Sequence, residues 1–201
     1  MTIIDYLYSH PLNPDTLLLG YNNGFFPMGN PDSGEIDWHC PAERAIIPLQ
    51  DVRISRSLRQ TLKKGHFEFR FDTVFDQVIH SCSMRFDTWI SEEIIKSYTE
   101  LHRLGFAHSV ETWCDNELVG GLYGVAIGGA FFGESMFSRM NDASKAAFVA
   151  LTERMNERGF TLLDSQYINP FTASLGAIEV SRNEYLTLLE KAVHLPCRLV
   201  D

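Results

Sequence analysis

The chain has 201 residues, of which 45% are hydrophobic and 21% are charged, and its formal net charge is −9. This composition is that of an ordinary globular protein and excludes a disordered chain, and the length suits one large domain or a small domain joined to a medium one. No apolar run approaches the roughly 20 residues that a membrane-spanning helix needs, and the first residues lack the pattern of a signal peptide, so we expect a cytoplasmic protein.

The N-terminal segment predicts one helix followed by irregular chain. Asn13 would cap the helix and Gly24 would supply its left-handed stop. Residues 26–48 are rich in Pro, Gly and Asp, which indicates irregular structure with short strands. We therefore predict a small N-terminal domain over residues 1–43 and a larger domain over residues 44–201.

Residues 53–70 concentrate positive charge in an otherwise acidic chain. They contain six of the 17 lysines and arginines and a single acidic residue, Glu68. Three of the six, Arg56, Arg59 and Lys63, recur at helical spacing and would form one stripe. Such a stripe is more often the solvated face of an amphipathic helix. The alternative is a surface that follows the phosphates of a nucleic acid, which the net charge alone would argue against.

The middle of the chain predicts a strand, two helices and a set of hairpins. Residues 66–72 alternate aromatic and charged residues as a strand does, and apolar residues recur at helical spacing over 72–82. Ser91 would cap a clear helix that ends at Gly105. Three strands follow, joined by turns at Asp115-Asn116 and Gly128-Gly129. Their sequences are "AHSVETWC", "ELVGGLYGVAIG" and "AFFGESMFS".

The last third of the chain predicts a helix, a short strand and a final helix. Asp142 would cap the first of these helices and Gly159 would end it. "FTLLDSQ" is the strand, and Ser181 opens the last helix with a capping box. The order of all these elements predicts an α+β fold with a mostly antiparallel mixed sheet and one parallel pair of strands.

Three polar residues of the predicted strands could share one pocket. Asp164 and Gln166 are two positions apart on a strand, so their side chains point to the same face, and we expect the strand of Glu134 beside it. A carboxylate and an amide on one face can orient a nucleophile or hold developing charge, although such a pair often serves only the backbone of a nearby loop. The apolar wall of the pocket would come from Phe131, Phe132, Met136 and Phe137.

Other chemical templates are missing from the sequence. The four cysteines are far apart and no histidine pair has the spacing of metal ligands, so we expect four thiols, no structural metal and no cofactor. The chain has no G-x-S-x-G and no glycine-rich phosphate loop. A covalent nucleophile and the use of a nucleoside triphosphate are therefore not expected.

Taken in chain order, these motifs resemble one family, the leucyl/phenylalanyl-tRNA–protein transferases. The similarity runs from about Tyr21 to Tyr185, and its most specific part is "GESMFSRM" followed about 30 residues later by D-x-Q. Further matching stretches are "GFFP", "CPAERAII", "ISRSL", "TWI", "LHRLGFAHSVE" and "TASLGAIEV". The chain departs from the family's usual residues at Met28, Pro170 and Phe171.

The resemblance implies a fold, a reaction and partners. The larger domain would be related to the GCN5-type acetyltransferases. The reaction would move Leu, Phe or less often Met from its tRNA to a protein whose N-terminal residue is Arg or Lys, and the new N-terminus would mark that protein for degradation. We also expect a monomer that binds no membrane.

The resemblance further implies which residues act. Asp164 and Gln166 would act at the reacting amine, and Glu134 would lie in the pocket. Trp89 of "TWI" would lie at the aminoacyl-adenosine site. The pocket for the amino-acid side chain would include Leu122, Phe131, Leu151 and Met155. The basic helix that meets the acceptor stem would carry Arg56, Arg59, Lys63 and Lys64.

Two alternatives remain open at the level of sequence. One is an acetyl-CoA-dependent acetyltransferase on the same fold, although the chain has no pyrophosphate-binding loop of the type R/Q-x-x-G-x-G/A. The other is a non-catalytic tRNA- or peptide-binding relative, which the departures at Met28, Pro170 and Phe171 leave open. Glu134, Asp164 and Gln166 are all present, and this favours the transferase.

Overall fold

A computed structural model describes residues 1–30, 33–84 and 88–201. The helices of the described residues are α1 (Ile3–Ser9), α2 (Pro14–Asn22), α3 (Arg56–Lys63), α4 (Phe75–Ser83), α5 (Glu92–Arg103), α6 (Ala143–Glu157), α7 (Pro170–Ser174) and α8 (Arg182–Val193). The strands are β1 (Phe26–Gly29), β2 (Ile36–His39), β3 (Glu43–Ile46), β4 (Glu68–Phe71), β5 (Ala107–Cys114), β6 (Glu117–Ile127), β7 (Ala130–Ser138), β8 (Leu162–Gln166) and β9 (Ile178–Ser181).

Two sheets organise the described chain. β1 and β2 form an antiparallel pair, and the other seven strands form one sheet in the order β4-β5-β6-β7-β8-β3-β9. Neighbouring strands of the large sheet are antiparallel except β7 and β8, which run parallel because α6 carries the chain back across the sheet. The prediction of an α+β fold with a mixed, mostly antiparallel sheet and one parallel pair is confirmed.

Local sequence signals explain how most of the predicted helices begin. The side chains of Asn13 and Ser91 accept hydrogen bonds from backbone amides in the first turns of α2 and α5, as predicted. Asp142 occupies the N-cap position of α6, as predicted, but its side chain makes no capping hydrogen bond. Asp142 has a left-handed backbone (φ 65°), and its Oδ2 accepts a hydrogen bond from Thr61 Oγ1 of α3 at 3.1 Å. The residue therefore joins α3 to α6.

Tight turns form both predicted hairpins. Asp115 and Asn116 have φ values of 51° and 63°, which suits the two-residue turn between β5 and β6. Gly128 has φ 55°, and a Cβ placed there would lie 2.4 Å from the Val193 carbonyl oxygen. Only glycine fits at that position, because the turn between β6 and β7 packs against the end of α8.

A β-bulge in β7 decides which side chains face which layer. The pairing of β6 with β7 shifts beside Gly124, and Glu134 is the extra residue of β7 that the register skips. Phe131 and Met136 consequently pack on the same side of the sheet, although strict alternation over five positions would put them on opposite sides. The bulge thus turns Met136 toward the layer that contains α6.

Two hydrophobic layers cover the large sheet. One consists of buried residues from α2, α4, α5 and α8 and includes Phe132 and Phe137 of β7. The other places α6 against Leu122, Phe131 and Leu163 of the sheet. Glu134 lies between the two layers, so the polar site described below is enclosed on both sides.

Among the residues that the structure describes, none of the helices combines the length and the apolar character needed to cross a bilayer. The same residues contain no group of three or more His, Cys, Asp and Glu side chains that could hold a metal ion.

Candidate active site

A cavity of about 520 Å³ opens where two strands of the sheet separate. The pairing of β7 with β8 runs from Ala130 and Leu162 to Phe132 and Asp164 and ends there. The residues that follow the last pair line the cavity, namely 133–136 of β7, 165–166 of β8 and Tyr167 directly after β8. The end of strand pairing therefore creates space inside the sheet itself.

One end of the cavity is apolar. Its walls come from both strands and from the layer that contains α6. The apolar lining residues include Ile47, Leu122, Met136, Phe148, Leu151, Leu163, Phe171 and Leu175. Such a wall favours a large apolar group, because burying a Leu or Phe side chain contributes about 1.5–3 kcal/mol.

Glu134 provides a buried carboxylate in the lining of the same cavity. Its side chain is 8% exposed, and Oε1 accepts hydrogen bonds from the Tyr21 hydroxyl at 2.7 Å and from Gln166 Nε2 at 3.0 Å. Burial raises the pKa of Glu134 to about 7, although the hydrogen bonds from Tyr21 and Gln166 act to lower it. Glu134 therefore changes protonation near neutral pH.

Asp164 has a different environment, in which its charge is fully compensated. Its side chain is 0% exposed and forms a two-oxygen ion pair with Arg44, with Nη2 2.6 Å from Oδ2 and Nε 2.9 Å from Oδ1. The Tyr185 hydroxyl donates to Oδ2 at 2.6 Å, and the Gln166 backbone amide donates to Oδ1 at 2.8 Å. These donors occupy both oxygens of the Asp164 carboxylate and leave neither free for a further donor.

Gln166 connects the two carboxylates. Its backbone binds Asp164 while its side-chain amide donates to Glu134. An ionised carboxylate only accepts hydrogen bonds, so the NH₂ group of Gln166 faces Glu134 and its amide oxygen remains for a donor in the cavity. The backbone of Gln166 has φ 64°, a conformation that non-glycine residues adopt rarely and that often accompanies a functional site.

Arg44 joins the N-terminal segment to this site. Its guanidinium is 1% exposed and lies 4.4 Å from the ring centre of Phe26 and 4.6 Å from that of Tyr185. Its Nη1 donates to the Gly24 carbonyl at 3.1 Å. The ion pair with Asp164 thus ties the start of β1 to β8.

Trp89 lines the cavity. Its carbonyl accepts a hydrogen bond from the Gly29 amide at 3.2 Å. A Cβ on Gly29 would lie 2.4 Å from that oxygen, so the close approach of β1 to Trp89 requires glycine. Met28 is half-buried and packs against the layer of Phe132.

The predicted apolar pocket residues divide into two groups. Leu122, Met136 and Leu151 line the cavity. Among the described residues, the cavity lining does not include Phe131, Phe137 or Met155. Phe131 and Met155 are fully buried in the same layer as Leu122 and Leu151 and support the cavity wall from behind. Phe137 packs in the opposite layer.

The basic helix lies apart from these groups. Arg56, Arg59, Lys63 and Lys64 are all exposed on α3 or directly after it. The chain that enters α3 reaches the cavity wall, because the Arg53 amide donates to the carbonyl of Leu175 at 2.9 Å. The segment before α3 therefore contacts the chain that lines the cavity.

Four residues of the site were not identified from the sequence. They are Tyr21, Arg44, Tyr98 and Tyr185. Arg44 carried a usable signal, since a charged residue followed by Ala45, Ile46 and Ile47 in a strand predicts a buried charge with a partner. The tyrosines resemble ordinary core residues at helical spacing, and only their contacts distinguish them.

Comparison with known proteins gives consistent matches over most of the chain. A family model described as leucyl/phenylalanyl-tRNA protein transferase matches residues 46–190, and a model of the N-terminal domain of that transferase matches residues 10–42. The chain is 49% identical to the leucyl/phenylalanyl-tRNA–protein transferase of Gloeobacter violaceus over 93% of this chain and 97% of that protein. Identity to the transferase of Herpetosiphon aurantiacus is 51% over 90% of this chain and 95% of that protein.

A solved structure, that of L-PGS from Bacillus licheniformis, shows a weaker likeness. It aligns with a TM-score of 0.43 at 18% identity over 78% of this chain, which spans about half (51%) of the length of that structure. Similarity at this level supports no inference about function.

Proposed function

The chain belongs to the leucyl/phenylalanyl-tRNA–protein transferase family, and from this membership we propose that it transfers an amino acid from aminoacyl-tRNA to the N-terminus of an acceptor protein. The observation that carries the proposal is the cavity between β7 and β8, where an apolar end adjoins Glu134, Asp164 and Gln166. An aminoacyl ester has the same two-part chemistry, with an apolar side chain next to a polar reacting group.

The donor is Leu, Phe or less often Met. The apolar end of the cavity favours these side chains through burial of carbon surface, and the unbranched Met side chain adapts to the same walls. Ile and Val carry a branch at Cβ and are rejected by shape, but only modestly, because a hydrophobic pocket separates such isomers weakly.

The reaction is the attack of an α-amine on the ester of the aminoacyl-tRNA. The amine nitrogen forms an amide bond with the carbonyl carbon, the ester bond to the ribose oxygen breaks, and the proton lost by the amine is returned to that oxygen. The unperturbed pKa of an α-amine is roughly 7.7–8.0, so a useful fraction is already free base near neutral pH. Orientation of the two reactants therefore supplies much of the rate.

Gln166 and Asp164 divide the work at the amine. The amide oxygen of Gln166 accepts a hydrogen bond from the attacking nitrogen and aims its lone pair. Asp164 fixes Gln166 and does not take the proton, because its oxygens are occupied by Arg44, Tyr185 and the Gln166 amide. Glu134 holds the side chain of Gln166 in the required orientation.

The tRNA and the acceptor protein bind outside the cavity. Arg56, Arg59, Lys63 and Lys64 on the exposed face of α3 contact the acceptor stem, and Trp89 contacts the terminal adenosine. Acceptors carry an N-terminal Arg or Lys, whose positive charge suits a chain of net charge −9. The product is marked for degradation in the cytoplasm, and the enzyme acts as a monomer.

The proposed fold relation and domain boundary follow from the same membership. Residues 44–201 form a domain related to the GCN5-type acetyltransferases. The antiparallel strands followed by a helical crossover to a parallel strand support this relation. Residues 1–43 form the small N-terminal domain, and the separate family-model matches to residues 10–42 and 46–190 support that division.

The test is transfer from labelled Phe-tRNA to a peptide that begins with Arg, compared with peptides that begin with Lys, Asp or Met. We expect transfer to Arg and Lys peptides and little to the others. The matched loss-of-function variant is Gln166→Glu. It keeps the size of the side chain but places a charge against Glu134, and it should abolish transfer. Acetylation of the same peptides from acetyl-CoA, without aminoacyl transfer, would contradict the proposal.

A further inference from the structure

A chain of two buried hydroxyls leads to Glu134 from the helices. The Tyr21 hydroxyl of α2 donates to Glu134 Oε1 at 2.7 Å, and the Tyr98 hydroxyl of α5 is in contact with that of Tyr21. Tyr98 is 3.5 Å from the second carboxylate oxygen, Oε2. Because Tyr21 uses its single proton for Glu134, it can only accept in its contact with Tyr98, whose hydroxyl is also within reach of Oε2. The donors therefore run in one direction, toward the carboxylate.

The two hydroxyls remain donors throughout the working pH range. Both tyrosines are fully buried, and burial together with the nearby charge of Glu134 raises the pKa of each well above its ordinary value. Hydrogen bonds that point the same way along a chain reinforce one another in a low-dielectric interior. The two hydroxyls therefore stabilise the ionised form of Glu134 throughout this pH range.

The ionisation of Glu134 bears directly on Gln166. When Glu134 is ionised it can only accept, so the NH₂ group of Gln166 must face it. A protonated Glu134 can instead donate its own proton to the amide oxygen of Gln166. That oxygen would then be turned away from the cavity, and the incoming amine would lose its acceptor.

We propose that Tyr21 and Tyr98 are positioning residues for the transfer reaction, which keep Glu134 as an acceptor so that the amide oxygen of Gln166 faces the incoming amine. The inference rests on the proposed function, and it deepens that function by giving α2 of the N-terminal segment a direct part in the site. The tyrosines touch neither substrate and act only through Glu134.

Several charged or titratable groups surround Glu134 on the elements that pack around it. They are Tyr21 (α2), Arg44 (β3), Tyr98 (α5) and Asp164 (β8), and Tyr123 (β6) packs against the ring of Tyr98. The charge of Asp164 opposes ionisation of Glu134, and that of Arg44 favours it. Asp164 and Arg44 pair with each other, so their opposite effects on the ionisation of Glu134 act together. The hydroxyl chain is the separate effect on this ionisation that a substitution can remove.

The kinetic test compares Tyr21→Phe with wild type between pH 6 and 9. Dividing the variant rate by the wild-type rate at each pH removes the titration of the acceptor amine, which both proteins share. We expect the ratio to be lowest near pH 6–7 and to rise with pH, because loss of a hydrogen bond to a charged group should move the Glu134 midpoint upward by about one pH unit. Tyr98→Phe should act in the same direction with a smaller shift.

Tyr185→Phe is the matched control, because it removes a buried tyrosine hydroxyl that binds Asp164 instead of Glu134. Its ratio to wild type should not change with pH. A flat ratio for both Tyr21→Phe and Tyr98→Phe would overturn the proposal, and Tyr98→Phe decides if Tyr21→Phe fails to fold.

A second readout does not depend on activity. Carbon-13 NMR of labelled glutamate carboxyls, with the Glu134 signal assigned by its loss in Glu134→Gln, gives the midpoint of Glu134 directly. We expect that midpoint to rise in both tyrosine variants, and an unmoved midpoint would overturn the proposal. If wild type transferred no amino acid at all, the proposed function would fail, and the NMR midpoint alone would decide whether the hydroxyl chain controls Glu134.

Discussion

Asp164 and Glu134 are two buried carboxylates with opposite environments. Asp164 is compensated by the guanidinium of Arg44 and by two further donors, whereas Glu134 receives hydrogen bonds from neutral groups only. This difference explains why burial raises the pKa of Glu134 to about 7. One carboxylate therefore supports structure, and the other titrates in the range where the enzyme works.

The role assigned to Asp164 predicts the effect of Asp164→Asn. The substitution leaves the charge of Arg44 buried without its partner, and breaking such a pair costs about 3–5 kcal/mol of stability. Urea unfolding should show this loss, while the folded fraction should still transfer amino acids. Glu68→Gln is the control, because it removes the exposed partner of Arg70 and should change stability little. A stable Asp164→Asn protein that has lost transfer would instead indicate a proton acceptor.

The raised pKa of Glu134 predicts how stability changes with pH. In the unfolded chain this group ionises near 4.5 but in the folded protein near 7, so its favourable contribution is complete below pH 4.5 and is lost as pH rises to about 7. The glutamine side chain of Glu134→Gln cannot ionise, so this variant does not lose that stability as pH rises. Relative to wild type, its stability should rise by about 2 kcal/mol between pH 5 and pH 7.5. Urea unfolding of both proteins at the two pH values measures the stability difference between Glu134→Gln and wild type. The same difference at both pH values would contradict the prediction.

Local sequence patterns do not predict contacts between residues that are far apart in the sequence. The alternation of a strand was enough to put Asp164 and Gln166 on one face, and both line the cavity with Glu134. The partner that defines Asp164 is Arg44, which lies 120 positions earlier. No local pattern connects the two, so the ion pair and the tyrosine contacts were beyond prediction.

At the scale of elements, those with strong local signals were predicted and those formed by tertiary contacts were not. The caps of α2 and α5 and the turns at Asp115-Asn116 and Gly128-Gly129 are determined by the residues at those positions. The short elements α1, α7 and β9 were missed. β9 forms only by pairing with β3. Asp142 stands at the predicted N-cap position of α6, but its side chain binds Thr61 of α3 instead of the first turn of α6.

The exposed basic face of α3 predicts salt-sensitive binding of tRNA. Replacing Arg56, Arg59 and Lys63 together by Gln should weaken binding and reduce the slope of log affinity against log salt by about 2. The slope is measured by filter binding at several salt concentrations. The matched control replaces Lys96, Arg103 and Lys191, which are exposed on α5 and α8 and give the same change in net charge. Equal losses in the two triple variants would show that only overall charge matters.

At the scale of the whole molecule, contacts cross the proposed boundary at residue 43. Tyr21 binds Glu134, and Arg44 binds both Gly24 and Asp164. Residues of α2 also belong to the same buried layer as α4, α5 and α8. The N-terminal segment is therefore part of the site and of the main core, even though its sequence is matched by a separate family model.

This integration predicts a single unfolding transition. A protein that keeps Trp38 as its only tryptophan reports on the N-terminal segment by fluorescence, while circular dichroism reports on the whole chain. The two signals should change at the same urea concentration, as expected for two-state unfolding. An earlier fluorescence transition would mean that the N-terminal segment unfolds independently.

Because of the bulge at Glu134, the number of residues in β7 matters to the cavity as much as the identity of its side chains. Deleting Glu134, the extra residue between Gly133 and Ser135, would restore strict alternation of the side chains along β7. Every side chain after that point would then lie on the opposite face of the sheet. Met136 would leave the cavity and Phe137 would enter it, although neither residue had been altered. The strand therefore tolerates a change of side chain more readily than a change in residue count.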